Sequence, residues 1–203
     1  MSKLSLSLLP TFLLSVTAFA EEGFKPLFDG TGTSGWRPRN ENGNNAWKVQ
    51  DGILKNDIKT GEHGTDLVTD AKFWNFTVRY EYMVPEGSNS GFYLRGRHEI
   101  QILGDSKKGQ PDKGGDGAIY QHTAPSVYAS KPNGEWNSAE ATIVGNKISI
   151  TLNGKKIHEN VEVDRATGSE IDNKVKEPGP IFLQGDHGVV SFRKIEIKEL
   201  SKE

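Results

Sequence analysis

The sequence predicts an all-β fold, a jelly-roll sandwich of two antiparallel sheets. Three observations predict it. Apolar and polar residues alternate with a period of two in many short runs. Turn signals rich in Gly, Asn and Asp recur about every eight to twelve residues. No window sustains an amphipathic helical period. In such a fold, strands far apart in sequence are neighbours in space.

The chain has 203 residues, and the first twenty read as a secretory signal. Lys3 supplies the positive start, Leu4 to Val16 the apolar stretch, and Ala18-Phe19-Ala20 a small-x-small cleavage site. The stretch is too short and too Ser-interrupted to span a membrane. This predicts cleavage before Glu21, export to the periplasm or beyond, no membrane anchor, and one jelly-roll domain over residues 21–203. A domain of that length buries about 70% of its unfolded surface and needs no covalent staples. The absence of Cys excludes disulfides, thiolate nucleophiles and Cys-based metal sites. Removing Lys3 with the signal takes the net charge from −2 to −3. A weakly acidic chain with interspersed signs argues against nucleic acid as a partner. Oligomeric state stays open.

Phe24 to Phe28 is a short apolar start, followed by a turn-rich segment and Trp36. Trp47-Lys48-Val49 and Ile53-Leu54 flank Gln50-Asp51-Gly52, a hairpin signal. Phe76, Val78, Tyr80, Tyr82 and Val84 alternate with polar residues and Met83, which makes the cleanest strand in the chain, and Pro85 ends it. Gly117 to Tyr120 predicts a short strand between two long loops, 105–116 and 121–137. Ala139–Val144, Lys147–Leu152 and Lys155–Val163 predict a three-strand meander turning at Gly145-Asn146 and Asn153-Gly154. A charged loop, Asp164–Pro180, leads to a strand at Ile181–Leu183. The last strand, Val189–Leu200, changes phase between Phe192 and Ile195, which predicts a bulge.

The chemistry concentrates in Asn89–Leu103, NSGFYLRGRHEIQIL, which reads as a β-hairpin. A two-residue turn at Gly96-Arg97 would set Leu94 against Glu99 and Phe92 against Gln101. A three-residue loop, Gly96-Arg97-His98, pairs Arg95 with Glu99 and Tyr93 with Gln101. Only the second sorts polar from apolar, because side chains alternate strictly across a sheet. One face then carries Tyr93, Arg95, Glu99 and Gln101. On a plain solvated sheet this would be an ordinary cross-strand set.

The five His residues form no H-x-H or H-x-x-x-H pattern, which argues against zinc. No cofactor is expected. A divalent metal such as calcium stays open, because Asp105, Asp112 and Asp116 share one Gly-rich loop, though without EF-hand spacing. Ser90 is in no nucleophile elbow, and Gly114-Gly115-Asp116-Gly117 is no phosphate loop. Two-carboxylate glycosidases of jelly-roll type carry acids at E-x-D-x-x-E spacing. Here Glu99 is followed by Gln101 and Gly104, so that machinery is not written on this strand.

An ordered set of motifs remains. It comprises Phe28-Asp29-Gly30 with Gly35-Trp36, Trp47-Lys48-Val49-Gln50-Asp51-Gly52, Leu67-Val68-Thr69 with Phe76, Asn89-Ser90-Gly91, Leu94-Arg95-Gly96 and Glu99-Ile100-Gln101-Ile102. It continues through Ile119-Tyr120 with Ala124-Pro125, Lys131-Pro132-x-Gly134-Glu135-Trp136-Asn137, Leu152-Asn153-Gly154, Ile181-x-Leu183-Gln184 with His187-Gly188, and Phe192-Arg193. Over Phe24–Leu200 the chain resembles the 3-keto-disaccharide hydrolase family, of the concanavalin A-like lectin and glucanase superfamily. It departs from the family at Leu103-Gly104-Asp105, where relatives carry the acid directly after the apolar run. The resemblance implies cleavage of glycosides already oxidised at C3. A ketone there acidifies the C2 proton, so a base can start a β-elimination that expels the C1 substituent, and water can then add. Such a site needs a base, an enolate stabiliser and an acid. Glu99 or His187 is the candidate base, Lys131 or Arg95 the oxyanion stabiliser, and Tyr120 or His187 the acid. Gln101, Asn137 and Gln184 are candidate hydroxyl ligands, Tyr93 shares the polar face, and Trp136 could stack on a sugar. The rival reading is a non-catalytic, lectin-like glycan-binding module, since one fold serves both.

Overall fold

The computed structural model describes residues 23–59, 61–105 and 110–201; the expected secretory signal lies outside them. Among the described residues there is no helix, and thirteen strands form two antiparallel sheets. In chain order they are β1 (Lys25–Pro26), β2 (Trp36–Pro38), β3 (Trp47–Gln50), β4 (Ile53–Asn56), β5 (Leu67–Thr69), β6 (Phe76–Met83) and β7 (Asn89–Leu94). There follow β8 (His98–Leu103), β9 (Asn137–Val144), β10 (Lys147–Leu152), β11 (Lys155–Glu162), β12 (Phe182–Leu183) and β13 (Val190–Glu199). The larger sheet has the order β11-β10-β9-β6-β13-β4-β3, with β1 also on β13. The smaller has the order β2-β5-β12-β7-β8.

The alternation read from the sequence decides which faces meet. On β6, Phe76, Val78, Tyr80 and Tyr82 are buried while the residues between them are half-buried. Phe92, Leu94, Ile100 and Ile102 of the smaller sheet fill the same core, and Tyr80 stacks on Phe92 at 3.8 Å between ring centres. The turns were local and legible. Asp51-Gly52 and Asn153-Gly154 both have positive φ, as type I′ hairpin turns require. The bulge on β13 falls between Arg193 and Glu196, with Lys194 at φ 51°. The expected strand at 117–120 is reduced to isolated bridges, Ile119 joining Ile100 and Thr123, so the segment only extends the edge of β8.

The β7–β8 hairpin has a different register from the expected one. Tyr93 pairs with Glu99, Leu94 with His98 and Gly91 with Gln101. The Arg97 N–H donates to the Leu94 carbonyl across Arg95-Gly96, whose φ values are 54° and 66°, a type I′ turn. A slip of two residues preserves which face each side chain takes, so polarity alone could not detect it. Arg95 therefore leaves the sheet face. It is fully buried, donates to the Trp74 carbonyl (2.7 Å) and the Gly145 carbonyl (2.8 Å), and stacks on the Trp74 ring at 3.6 Å. It ties the hairpin tip to the other sheet. Replacing Arg95 with Met should destabilise the fold by about 3 kcal/mol or more, since two charge-assisted bonds to buried carbonyls are lost. Chemical denaturation measures this, and an unchanged midpoint would contradict it.

Candidate functional site

Non-local strand pairing builds the site on the outward face of the smaller sheet. β7 lies between β8 and β12, and β12 lies between β7 and β5. One row across the sheet runs Val68, Phe182, Tyr93, Glu99. Tyr120 extends it, because its N–H donates to the Glu99 carbonyl. The next row centres on Gly91, with Gln101 on one side and Gln184 on the other, the Gln184 N–H donating to the Gly91 carbonyl. Asp66 adjoins Gln184; its carboxylate accepts from the Gly185 N–H at 3.0 Å and pairs with Arg39 at 3.3 Å.

Gly91 leaves the floor open. A Cβ there would collide with Oε1 of Glu99, so the Glu99 carboxylate lies directly over this glycine. Tyr93 forms one wall, stacked on Phe182 at 4.1 Å, and Arg39 lies over the other side of that pair, 5.2 Å from the Phe182 ring. The 164–180 loop closes this end. Thr167 Oγ1 accepts from the Glu99 N–H, Arg39 donates to the carbonyls of Ser169 and Glu170, and Ile171 packs on the aromatic pair.

Electrostatics single out Glu99. Its carboxyl is pushed up to about 7, first by burial and then by the nearby Asp186 and Asp66 carboxylates, while the Tyr93 hydroxyl opposes the rise. Burial likewise raises Asp66. The Tyr93 hydroxyl is raised beyond the ordinary phenol range by burial and by Glu99. Two buried polar atoms around this depression, Gln184 Oε1 and Asn89 Oδ1, have no hydrogen-bond partner among the described residues. Buried polar groups are nearly always paired, so these two atoms stand out. His187 stands at the edge of the site. Its Nε2 is 2.9 Å from Asn89 Nδ2, and its Nδ1 touches Asp186 Oδ1 at 2.6 Å.

The structure thus brings together Glu99, Tyr93, Gln101, Gln184, Tyr120 and His187. Gln101 is already engaged: its amide donates to the Gly114 carbonyl and its Oε1 accepts from the Ile102 N–H, so it holds the neighbouring loop. Asp116 anchors the same loop. It is buried, accepts from the Tyr82 hydroxyl, the Leu103 N–H and the Ser130 hydroxyl, and is pushed up to about 6 by burial.

Four expected residues lie elsewhere. Arg95 is the buried hairpin tie. Trp136 stacks against Arg193 at 4.1 Å, and Arg193 pairs with Glu81 on the outer face of the larger sheet. Lys131 Nζ donates to the Trp136 carbonyl, and Asn137 binds the Lys131 N–H and the Asn153 amide. These three knit a loop to the larger sheet and do not join Glu99. Asp66, Arg39, Asn89 and Asp186 were missed. Asn89 opens β7 and the other three flank short strands, and only the pairing of distant strands gathers them. Among the described residues, no group of three or more His, Cys, Asp or Glu side chains is arranged to hold a metal ion.

The described residues form a jelly roll with a polar, aromatic-walled depression on the outward face of its smaller sheet. A family model described as 3-keto-alpha-glucoside-1,2-lyase-like domain matches residues 23–198, and the chain belongs to that family. It is 27% identical over 169 residues to a 3-keto-disaccharide hydrolase of Bacteroides thetaiotaomicron. That match covers 68% of the chain but 58% of the relative's own length. A solved protein of Parabacteroides distasonis, named as a candidate glycosyl hydrolase, aligns with a TM-score of 0.73 and 25% identity, covering 88% of this chain and 95% of that one. The β-glucanase of Bacillus licheniformis aligns at a TM-score of 0.58 and 12% identity over 88% of this chain and 97% of its own, a likeness of fold alone.

Proposed function

We propose that the protein cleaves 3-keto-glycosides by C2 proton abstraction and β-elimination, with hydration of the product completing a net hydrolysis. The observation that carries this reading is Glu99: a nearly buried carboxylate raised to about 7 and seated over a glycine floor beside Tyr93. A base poised near neutrality suits removal of a proton that a ketone has acidified. Family membership supports the substrate class, and the term 1,2-lyase in the family's description matches elimination across C1–C2.

In this reading the Glu99 carboxylate takes the C2 proton. The C–H electrons form the enolate, whose oxygen is met by donors on the same face, with the Tyr120 hydroxyl and the Gln184 amide available. Collapse of the enolate forms the C1–C2 double bond and breaks the C1–O bond, whose electron pair leaves with the departing oxygen. His187 supplies that oxygen with a proton. Water then adds to the resulting enone, its oxygen bonding to C1 and giving a proton to His187 while Glu99 returns its proton to C2, which restores both residues. Lys131 and Arg95 have no part in it. A lectin reading gives no role to a carboxyl tuned to the middle of the pH range.

The rate should follow Glu99 ionisation. Its pKa is raised, so the active carboxylate accumulates as pH rises through about 7. The kcat/KM of a 3-keto-glucoside should climb between pH 6 and 8 by about tenfold per unit on the acid side of that value. A profile flat from pH 5 to 8 would remove Glu99 as the base. The reading itself is tested by incubating the protein with a glucoside and its 3-keto form, with and without chelator. Sugar is released from the keto form alone, and equal cleavage of the unoxidised glucoside refutes the proposal. The chelator arm reports any requirement for calcium or another divalent ion. We further propose export with cleavage before Glu21; N-terminal sequencing that found Met1 on exported protein would refute it.

A further inference from the structure

The row that ends at Glu99 begins at Arg37. β2 pairs with β5 so that Arg37 lies opposite Val68, and the full row across the smaller sheet is Arg37, Val68, Phe182, Tyr93, Glu99. Paired residues take the same face of a sheet, and four strand spacings put the two ends about 19 Å apart.

At the Arg37 end lies a cleft of about 260 Å³. Val68 and Ile171 are part of its apolar lining, and Arg37, Arg39, Asp70 and Lys72 supply its charges. Ile171 packs against the cluster of Val68, Tyr93 and Phe182, and the Arg39 guanidinium lies 5.2 Å from the Phe182 ring. These two side chains form a ridge, with the cleft on one side and the Glu99 depression on the other.

Three cations against one carboxylate leave the cleft two positive charges in excess, in a chain whose net charge is −2. Much of their hydrogen-bonding capacity is unspent. Arg39 donates through Nη1 to Asp66 and to the Ser169 carbonyl and through Nη2 to the Glu170 carbonyl, while its Nε–H has no acceptor among the described residues. Arg37 meets Asp70 only as a loose ion pair, Nε to Oδ1 at 3.4 Å, with both side chains more than half exposed. An exposed pair of this kind is weak, and a better-placed acceptor displaces it. Among the described residues, Lys72 makes no hydrogen bond or ion pair and the Asp70 carboxylate accepts no hydrogen bond.

These groups define a ligand. Guanidinium and ammonium donors suit an oxyanion, which a planar guanidinium can grip with two parallel bonds. A carboxylate with spare acceptor capacity suits a hydroxyl and repels a bare inorganic anion. A molecule that carries an oxyanion and hydroxyls on a body with C–H faces matches the cations, Asp70 and the apolar lining together.

We propose that this cleft binds an acidic sugar, whose ring bears a carboxylate or a sulfate ester. The anion sits on Arg37, Lys72 and the Arg39 Nε–H, and ring hydroxyls donate to Asp70. The proposal does not depend on the elimination reading. Its test follows the backbone amide shifts of Thr69, Lys72 and Ile171 as the protein is titrated with glucuronate, glucose 6-sulfate, glucose and inorganic sulfate. Glucuronate or glucose 6-sulfate should move them saturably, glucose should not, and the acidic sugar that binds identifies the anion. Added salt should weaken the binding. Arg37→Gln and Lys72→Gln, which leave the Arg39 contacts in place, should each lower affinity by about two- to fivefold, and together by about tenfold. Lys155→Gln, on the far edge strand of the larger sheet, should leave affinity unchanged. Asp70→Ala should lower the ratio of acidic-sugar to inorganic-sulfate affinity. Thermal melts check that each variant is folded. Amides unmoved by both acidic sugars, or moved equally by glucose, refute the site. Inorganic sulfate bound as tightly as the acidic sugars refutes the sugar as carrier, and an affinity unchanged in the double variant refutes the cations as its ligands.

Discussion

Glu99→Gln should lower kcat on a 3-keto-glycoside by about 10²–10⁴, the usual contribution of a positioned general base. The amide keeps the shape of the carboxylate over Gly91 but cannot accept the C2 proton. Binding of an unreactive substrate analogue should survive. With the parent enzyme, deuterium at C2 should slow cleavage or wash out into solvent, because that proton leaves first. Stability should move the other way. The folded-state pKa of Glu99 is raised above its ordinary value, so the carboxyl favours the fold when protonated, below about pH 4.5. That advantage is lost as pH rises through about 7. At pH 8 the Gln variant should therefore melt at a higher temperature than the parent, and at pH 4 the difference should vanish. A variant that loses activity only through weaker binding would make Glu99 a substrate ligand and leave His187 as the base. Unoxidised glucosides cleaved at comparable rates, with no C2 isotope effect, would end the elimination reading.

What the sequence disclosed about this site follows from the range over which each signal acts. Hairpin turns and the bulge of β13 are local, and their Asn-Gly and Asp-Gly pairs state the needed backbone directly. The faces of Tyr93, Glu99 and Gln101 were legible because alternation is strict. The register was not, because a slip of two leaves every face unchanged and only the left-handed turn at Arg95-Gly96 distinguishes the alternatives. Long loops are less readable still. Lys131, Trp136 and Asn137 look like sugar ligands in sequence, yet nothing local tells which sheet their loop will cover. The converse holds for Arg39, Asp66 and Asp186, ordinary surface residues in sequence. The order β2-β5-β12-β7-β8 gathers them, and that order is a property of the whole chain.

Gly91→Ala should lower kcat by about a hundredfold while leaving the protein folded. The residue lies within β7 and its φ is not positive, so alanine meets no backbone strain. The added methyl instead meets Glu99 Oε1 and, at 2.9 Å, Cε2 of Tyr93. A carboxylate at the end of a flexible side chain can swing away, and the stacked Tyr93 ring shifts far less readily, so Glu99 yields. Displacing a catalytic group by roughly 1 Å costs on the order of 10²-fold in rate. Gly188→Ala makes the useful contrast. Its methyl would overlap the Asn89 backbone carbonyl, which cannot swing aside, so that variant should lose stability as well as activity. If Gly91 acts through Glu99, the two substitutions cannot be additive. Once Glu99→Gln has removed the base, adding Gly91→Ala should cost little more, because there is no carboxylate left to misplace. A double variant slower by the full product of the single effects would mean that Gly91 contributes on its own account, by admitting the sugar ring to the sheet.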